Sequence, residues 1–257
     1  MLINNIAGYK FIPLVQLTEL RTELLAKCNV LDLRGTILLS AEGININMAG
    51  QLDNIISFKA YLQADTRFAD ISFHQTKSTF QPFKRMWVKI KKEIITMRAP
   101  TIHPEINQAP SITPQEFKQW LDEKRDMTIL DTRNEYEVRF GTFKNAMNSN
   151  IENFSEFSKV TKTLNPEKPI VMFCTGGIRC EKAALHLLGE GFQQVFQLQK
   201  GILNYFKEVG GAHYEGECFV FDQRISVDAN LAVSGTQQCK VCQGPIKTDK
   251  EHICDRN

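Results

Sequence analysis

The sequence predicts an α/β chain of two successive units followed by a short cysteine-containing tail, and three observations carry that reading. Residues 1–97 run through strand and helix patterns in the order strand, helix, strand, strand, helix, strand. That is the split βαβ plan, an antiparallel sheet with two helices on one face. Pro100, Pro104, Pro110 and Pro114 then deny both helix and sheet pairing, which makes residues 98–110 a linker. From 111 to 210, short apolar runs alternate with amphipathic helical stretches, the pattern of a compact domain with a largely parallel sheet. Residues 211–257 form a C-terminal extension.

Composition bounds the function before any motif is read. With 257 residues, 42% hydrophobic and 23% charged, the chain has the make-up of a soluble globular protein large enough for two cores. A net charge of only +2 decides nothing about nucleic acid, so local clustering has to. Met1-Leu2-Ile3-Asn4-Asn5-Ile6 lacks the basic start and apolar middle of an export signal, and no apolar run reaches membrane-spanning length. The expectation is a cytoplasmic protein with no membrane partner. Seven cysteines, an odd number, then point to reduced thiols with chemical or metal-binding uses.

In the first unit, Tyr9–Leu14 reads as a strand, and Leu17, Leu20, Leu24 and Leu25 give Leu17–Val30 a helical period, opened by Gln16 or Thr18. Two apolar runs separated by Ser40-Ala41-Glu42-Gly43 form a hairpin signal. Leu52–Leu62 is a second helix, and Ile71–His74 and Met86–Ile90 are strands. The assembled plan is ferredoxin-like. Its last stretch, Lys77–Lys92, carries six Lys or Arg interleaved with three aromatic residues and no acid. Lys84, Arg85, Lys89 and Lys91 with those rings suit phosphate contact and base stacking, as in nucleic-acid binding. A sheet edge kept unpaired by lysines gives the same pattern.

In the second unit, Ser111 or Thr113 caps a helix with Pro114 in its first turn, Glu116 next, and Phe117, Trp120 and Leu121 on one face. Thr128–Asp131 is a short buried strand that leaves by a polar turn into a helix, Gly141 and Lys144 mark a loop, and Phe154–Val160 is a further helix. Pro169–Phe173 and Gln194–Leu198 are strands, and Ile202–Val209 closes the domain as a helix. Ligand sites in parallel sheets gather at the carboxyl ends of strands, where both Asp131 and Cys174 fall. Asp131 and Arg133 suit an ion pair that holds the loop architecture.

The chemistry concentrates in Cys174-Thr175-Gly176-Gly177-Ile178-Arg179-Cys180, between a strand and a helix. Two glycines let successive N–H groups turn inward, and the following helix adds its positive end, which together make a hollow for an anion. A cysteine at the entrance, with Arg179 five residues on, has its thiolate favoured by both. Cys174 is the candidate nucleophile. Cys180 is either a buried structural thiol or a resolving or substrate-contacting one.

With these residues in view, 111–210 resembles the rhodanese domain. The Cys174–Ala183 string, with Gly35–Asn45, Pro82-Phe83-Lys84-Arg85 and Cys218–Asp222 around it, makes the whole chain similar to the rhodanese-related tRNA uridine hydroxylase family. That resemblance implies a rhodanese-like domain preceded by an acylphosphatase-like module, a tRNA substrate, and oxygen-dependent hydroxylation of the wobble uridine to 5-hydroxyuridine. It further implies molecular oxygen as co-substrate, a sulfur or electron donor protein as partner, Cys174 as the active, persulfide-forming cysteine, and Arg179 in the anion cradle. The chain has Lys200-Gly201-Ile202 where relatives often have Gly-Gly-Ile. The six-residue span from Cys174 to Arg179 resembles the sulfur-handling loop, whereas dual-specificity phosphatases carry one residue more. A thiosulfate or persulfide sulfurtransferase and an inert RNA-docking module are the other readings.

The tail holds Cys239-x2-Cys242 and His252-x-Cys254, four soft ligands in a polar context. Such a set suits zinc, and the alternative is a reduced tail without a metal.

Overall fold

The computed structural model describes residues 2–246 together with His252 and Cys254. The chain divides into two compact units, one of Met1–Thr96 with His103–Asn107 and the other of Met97–Ile102 with Gln108–Asn257. Among the described residues no helix is long and apolar enough to cross a membrane.

The first unit runs β1 (Ile3–Phe11), α1 (Leu17–Val30), β2 (Arg34–Ser40), β3 (Gly43–Gly50), α2 (Leu52–Gln63), a 3-10 turn at Thr66–Phe68, β4 (His74–Ser78) and β5 (Met86–Ile90). Strand order is β4-β1-β3-β2-β5. The first four are antiparallel neighbours, the ferredoxin-like arrangement, but β5 joins β2 in parallel, so the sheet is mixed and has five strands. Leu20 and Leu24 of α1 and Ile55, Phe58 and Leu62 of α2 enter one core with Ile6, Ile37, Ile44 and Ile46 of the sheet.

Two strands are shifted from the sequence reading. The first begins at Ile3 and ends at Phe11, with Leu14 buried beyond it; the fourth begins at His74, leaving Ile71 to fill the core from a loop. Neither Gln16 nor Thr18 caps α1 with its side chain. Gln16 sits at φ 53 in the left-handed region and acts through its backbone carbonyl, which accepts from Leu20 N–H at 3.1 Å.

The second unit contains β6 (Ser111–Ile112), α3 (Pro114–Asp122), β7 (Thr128–Asp131), α4 (Glu135–Val138), β8 (Gly141–Phe143), β9 (Met147–Asn148), a 3-10 stretch Phe154–Thr163, β10 (Ile170–Phe173), α5 (Ile178–Gly189), β11 (Val195–Leu198) and α6 (Gly201–Val209). A parallel sheet in the order β6-β11-β10-β7-β9 forms its centre. Thr113 starts α3 by the reciprocal capping arrangement: its Oγ1 accepts from Glu116 N–H at 3.2 Å, and Glu116 Oε2 accepts from Thr113 N–H at 3.0 Å.

Gly141 and Lys144 do not mark a loop alone. Gly141–Phe143 is strand β8, pairing antiparallel with β12 (Tyr214–Gly216). The chain beyond residue 210 is thereby woven into this unit, continuing as β13 (Cys218–Phe219), β14 (Ser226–Val227), β15 (Gln237–Gln238) and β16 (Pro245–Ile246). Cys218, Val220 and Val227 pack in the same core as Val171, Phe173 and Ile202.

Candidate active site

β7 and β10 are adjacent and parallel, with Asp131 paired in register to Phe173, so the loops leaving both strands emerge side by side. After β7, Asp131 and Arg133 close a tight turn on themselves. The Arg133 backbone N–H and Nε both donate to Asp131 Oδ1, at 3.1 and 2.9 Å, and Nη2 donates to Oδ2 at 2.6 Å. Thr142 Oγ1 donates to Oδ2 at 2.7 Å, and Arg133 Nη2 reaches the Gly141 carbonyl at 2.6 Å. Both charged side chains are fully buried. The pair fastens β8 to the end of β7.

After β10 the chain makes the four-residue turn Cys174–Gly177 and enters α5. Gly177 takes φ 99 at the helix start, a conformation in which a side chain is strained. Its N–H donates to Cys174 Sγ at 3.1 Å, and the Arg179 N–H and the Cys180 thiol also donate to that sulfur. Burial pushes the Cys174 thiol up. The Cys180 thiol, the Arg179 guanidinium and the two amides outweigh it and bring the pKa down to about 6. Cys180 moves the opposite way, well above the usual cysteine range, because it is buried and its proton is held by the neighbouring sulfur. Cys180 is thus a buried thiol hydrogen-bonded to Cys174, with Thr132 Oγ1 3.6 Å away on its other side.

Arg179 is held by a residue that the sequence reading did not pick out. Its Nη1 and Nη2 form a two-pronged contact with Glu137 at 2.5 and 2.8 Å, in a buried pair. The guanidinium therefore acts on Cys174 as a charge fixed in place rather than as a free anion-binding arm. Glu137 is on α4, where its Oε1 also accepts from Asn134 N–H at 3.1 Å. An Asn-x-x-Glu spacing is a helix-start signal, legible in sequence, but it gives no hint of the long-range partner.

The back of the loop is braced by α6, whose first free amides are used on it. Ile202 N–H donates to the Cys174 carbonyl at 2.9 Å and Leu203 N–H to that of Thr175 at 3.1 Å. Gly201, at φ 68, lies so close that a Cβ there would be 2.3 Å from the Cys174 carbonyl oxygen and 2.8 Å from Gly177 N. Lys200 precedes it in the left-handed region at φ 58.

The expected open hollow is closed. Cys174 has no solvent exposure, and β13 and the residues after it reach the loop. Thr175 Oγ1 donates to the Phe219 carbonyl at 3.4 Å, and the Phe219 ring meets Tyr136 and Phe140 at 5.3 and 5.2 Å. Arg179 lies 5.7 Å from the Phe221 ring. Sequence pattern alone does not reveal such a cover, since it depends on a segment far along the chain folding back.

Lys84, Arg85, Lys89 and Lys91 belong to the first unit, on and around β5, an edge strand of the five-stranded sheet, and all four are exposed. Trp87 is 42% exposed between two of them, its ring 4.5 Å from the Arg85 guanidinium and 4.8 Å from Lys89 Nζ. The arrangement sets an exposed indole between two cations on an edge strand.

Two family models match the chain: the UPF0176 acylphosphatase like domain over residues 3–94 and the Rhodanese-like domain over residues 113–208. The chain is 49% identical over 98% of its length to a tRNA uridine(34) hydroxylase of Cupriavidus pinatubonensis, covering 92% of that protein. A protein of the same name from Ralstonia nicotianae is 46% identical over 99% of the chain and 93% of its own length, and one from Burkholderia mallei is 45% identical over 96% and 87%.

Three expectations follow from the site's geometry. Glu137→Gln leaves the buried Arg179 charge uncompensated and costs about 3–5 kcal/mol in urea unfolding. Gly201→Ala, forced into positive φ against the active loop, costs about 2 kcal/mol or more. Lys200→Gly beside it relieves left-handed strain and stabilises by about 0.5–1 kcal/mol.

Proposed function

Because the chain belongs to the tRNA uridine(34) hydroxylase family, we propose that it hydroxylates the wobble uridine of tRNA at carbon 5 with molecular oxygen, through the Cys174 sulfur. It is a tRNA-modifying oxidoreductase of the rhodanese-related class. The observation that carries the assignment to Cys174 is a fully buried sulfur at the start of α5 that receives the Gly177 N–H at 3.1 Å, in surroundings that bring its pKa down to about 6. A fully buried thiol with no such partners is pushed the other way, as burial alone does to Cys28, raised to about 12.

The target base has to leave its stack to meet this sulfur, and the chain over the loop has to move as well. The cover rests on the contact between Thr175 and the Phe219 carbonyl and on the Tyr136 and Phe140 rings packed around Phe219. Once the base is seated, the Cys174 thiolate acts as nucleophile or oxygen-relay sulfur. The Gly177 and Arg179 amides stabilise negative charge as it returns to the sulfur. One atom of O2 enters the C5–H bond as the hydroxyl and the other leaves as water, which takes two electrons and two protons from a reductant. Cys180 holds a proton against Cys174 throughout, which keeps the charge on one sulfur. Asp131 and Arg133 keep the two strand-end loops in place. Phosphates of the tRNA are held by Lys84, Arg85, Lys89 and Lys91, with Trp87 stacking on an exposed base.

Sulfurtransfer is the second reading, since the same amides suit a persulfide terminus on Cys174. One experiment separates the two. Bulk tRNA from cells lacking the protein is scored for 5-hydroxyuridine before and after complementation, in a background without a second route to that nucleoside. Wild type restores it and Cys174→Ser does not; rescue by Cys174→Ser overturns the proposed chemistry, and unchanged levels in the deleted cells overturn the substrate. The Lys84, Arg85, Lys89 and Lys91 quadruple Ala variant binds tRNA more weakly. Its log–log salt slope shallows by about 0.7–0.9 for each phosphate that is no longer neutralised, as read by filter binding over a salt series.

A further inference from the structure

Beyond the hydroxylase reading, and independent of it, we infer that the chain holds one structural zinc ion between Cys239, Cys242, His252 and Cys254. One donor atom from each of these residues lies within 4.8 Å of every other. Three thiols and an imidazole are the soft, tetrahedral set that zinc takes in closed structural sites. The spacing agrees in detail at the pair that is in contact, Cys242 Sγ and His252 Nε2, 3.5 Å apart. Zn–S and Zn–N bonds of about 2.3 and 2.0–2.1 Å at a tetrahedral angle put those two atoms about 3.6 Å apart.

The backbone around the first pair has the shape of a metal knuckle. β15 and β16 form a minimal antiparallel hairpin, Gln237 opposite Ile246 and Gln238 opposite Pro245, with Cys239 and Cys242 at its tip. The tip is held by Cys239 N–H on the Gly244 carbonyl at 2.9 Å and Gln243 N–H on the Cys239 carbonyl at 3.0 Å, with Gln243 at φ 60. Val241 N–H points at Cys239 Sγ, 3.4 Å away. An amide aimed at a ligating sulfur is the outer-shell contact that steadies thiolate charge in such sites.

The fold itself needs the ion. Two-residue strands do not hold a hairpin together in water. Val241 is 61% exposed, so the tip does not secure itself by apolar burial, yet Cys239 and Cys242 are 8% and 1% exposed. Cys239, Cys242 and Cys254 are all free of disulfides. A metal bond supplies what the missing core does not.

The ion also fastens the tail to the active site's support. Gly244 packs so closely on Arg139 that a Cβ at Gly244 would lie 2.9 Å from the guanidinium carbon. Arg139 ends α4, the helix that carries Glu137 and so positions Arg179.

The test is metal analysis of the full chain, purified from zinc-replete cells and passed through chelator-free gel filtration. One zinc per chain is expected, with at least a tenfold loss of retained zinc in Cys239→Ser and Cys242→Ser and none in Cys28→Ala. Because those variants can fail by misfolding, the intact protein is also reconstituted with Co2+. Visible bands of tetrahedral thiolate-bound cobalt are expected, shifted in His252→Ala. A metal-free chain that gives no such bands, iron as the resident metal, or a Cys239–Cys242 disulfide in the purified protein overturns the inference.

Discussion

The buried Cys174 sulfur, together with the donors that have to stand around it, is the constraint on which the second unit is built. An ionised sulfur without solvent is tolerated only when its surroundings replace the water, and here they do so from several directions. Amides of Gly177 and Arg179 and the thiol of Cys180 reach it directly, while the Arg179 guanidinium supplies a counter-charge. That guanidinium is itself buried, so it needs Glu137, and beside it Arg133 needs Asp131. Each of the two buried guanidinium groups has its own carboxylate, Glu137 for Arg179 and Asp131 for Arg133. Removing either carboxylate leaves a buried guanidinium uncompensated.

Holding these groups in place is backbone work. The first amides of α6 are not left to water but are given to the carbonyls of Cys174 and Thr175, and Gly201 brings the two segments to a separation that no side chain permits. The active loop is therefore clamped at its carbonyls from one side and filled with a charge from the other. Such a loop is rigid, which suits a nucleophile that has to keep a depressed pKa while shielded from solvent. The segment through Phe219 and Phe221 meets the loop at the Thr175 hydroxyl and through ring contacts, while Cys218 and Val220 beside it pack in the core.

What sequence pattern revealed was what local physics determines. α1 has the bounds its leucine spacing gives, the β2–β3 hairpin follows its turn, and Thr113 with Glu116 caps α3. The strand–loop–helix at Cys174 was legible because glycines, cysteine and helix start are adjacent in the chain. The parallel addition of β5 to β2, the pairing of β8 with β12, and the Glu137–Arg179 contact across 42 residues were not, because each depends on which distant segment arrives. The closure of the hollow belongs to the same class. Trp87 stood in view within a basic stretch, yet its standing between two cations on an edge strand is a fact of the folded sheet.

The most direct measurement is the ultraviolet titration of the Cys174 thiolate, taken as the difference between wild type and Cys174→Ser. Cys180 keeps its proton over the range and stays silent. A depressed pKa in the folded protein means that the thiolate persists as pH falls and is lost only on passing through about 6, and that is the midpoint expected. A midpoint at or above the ordinary cysteine value of about 8.5 would show a buried neutral thiol and contradict the account.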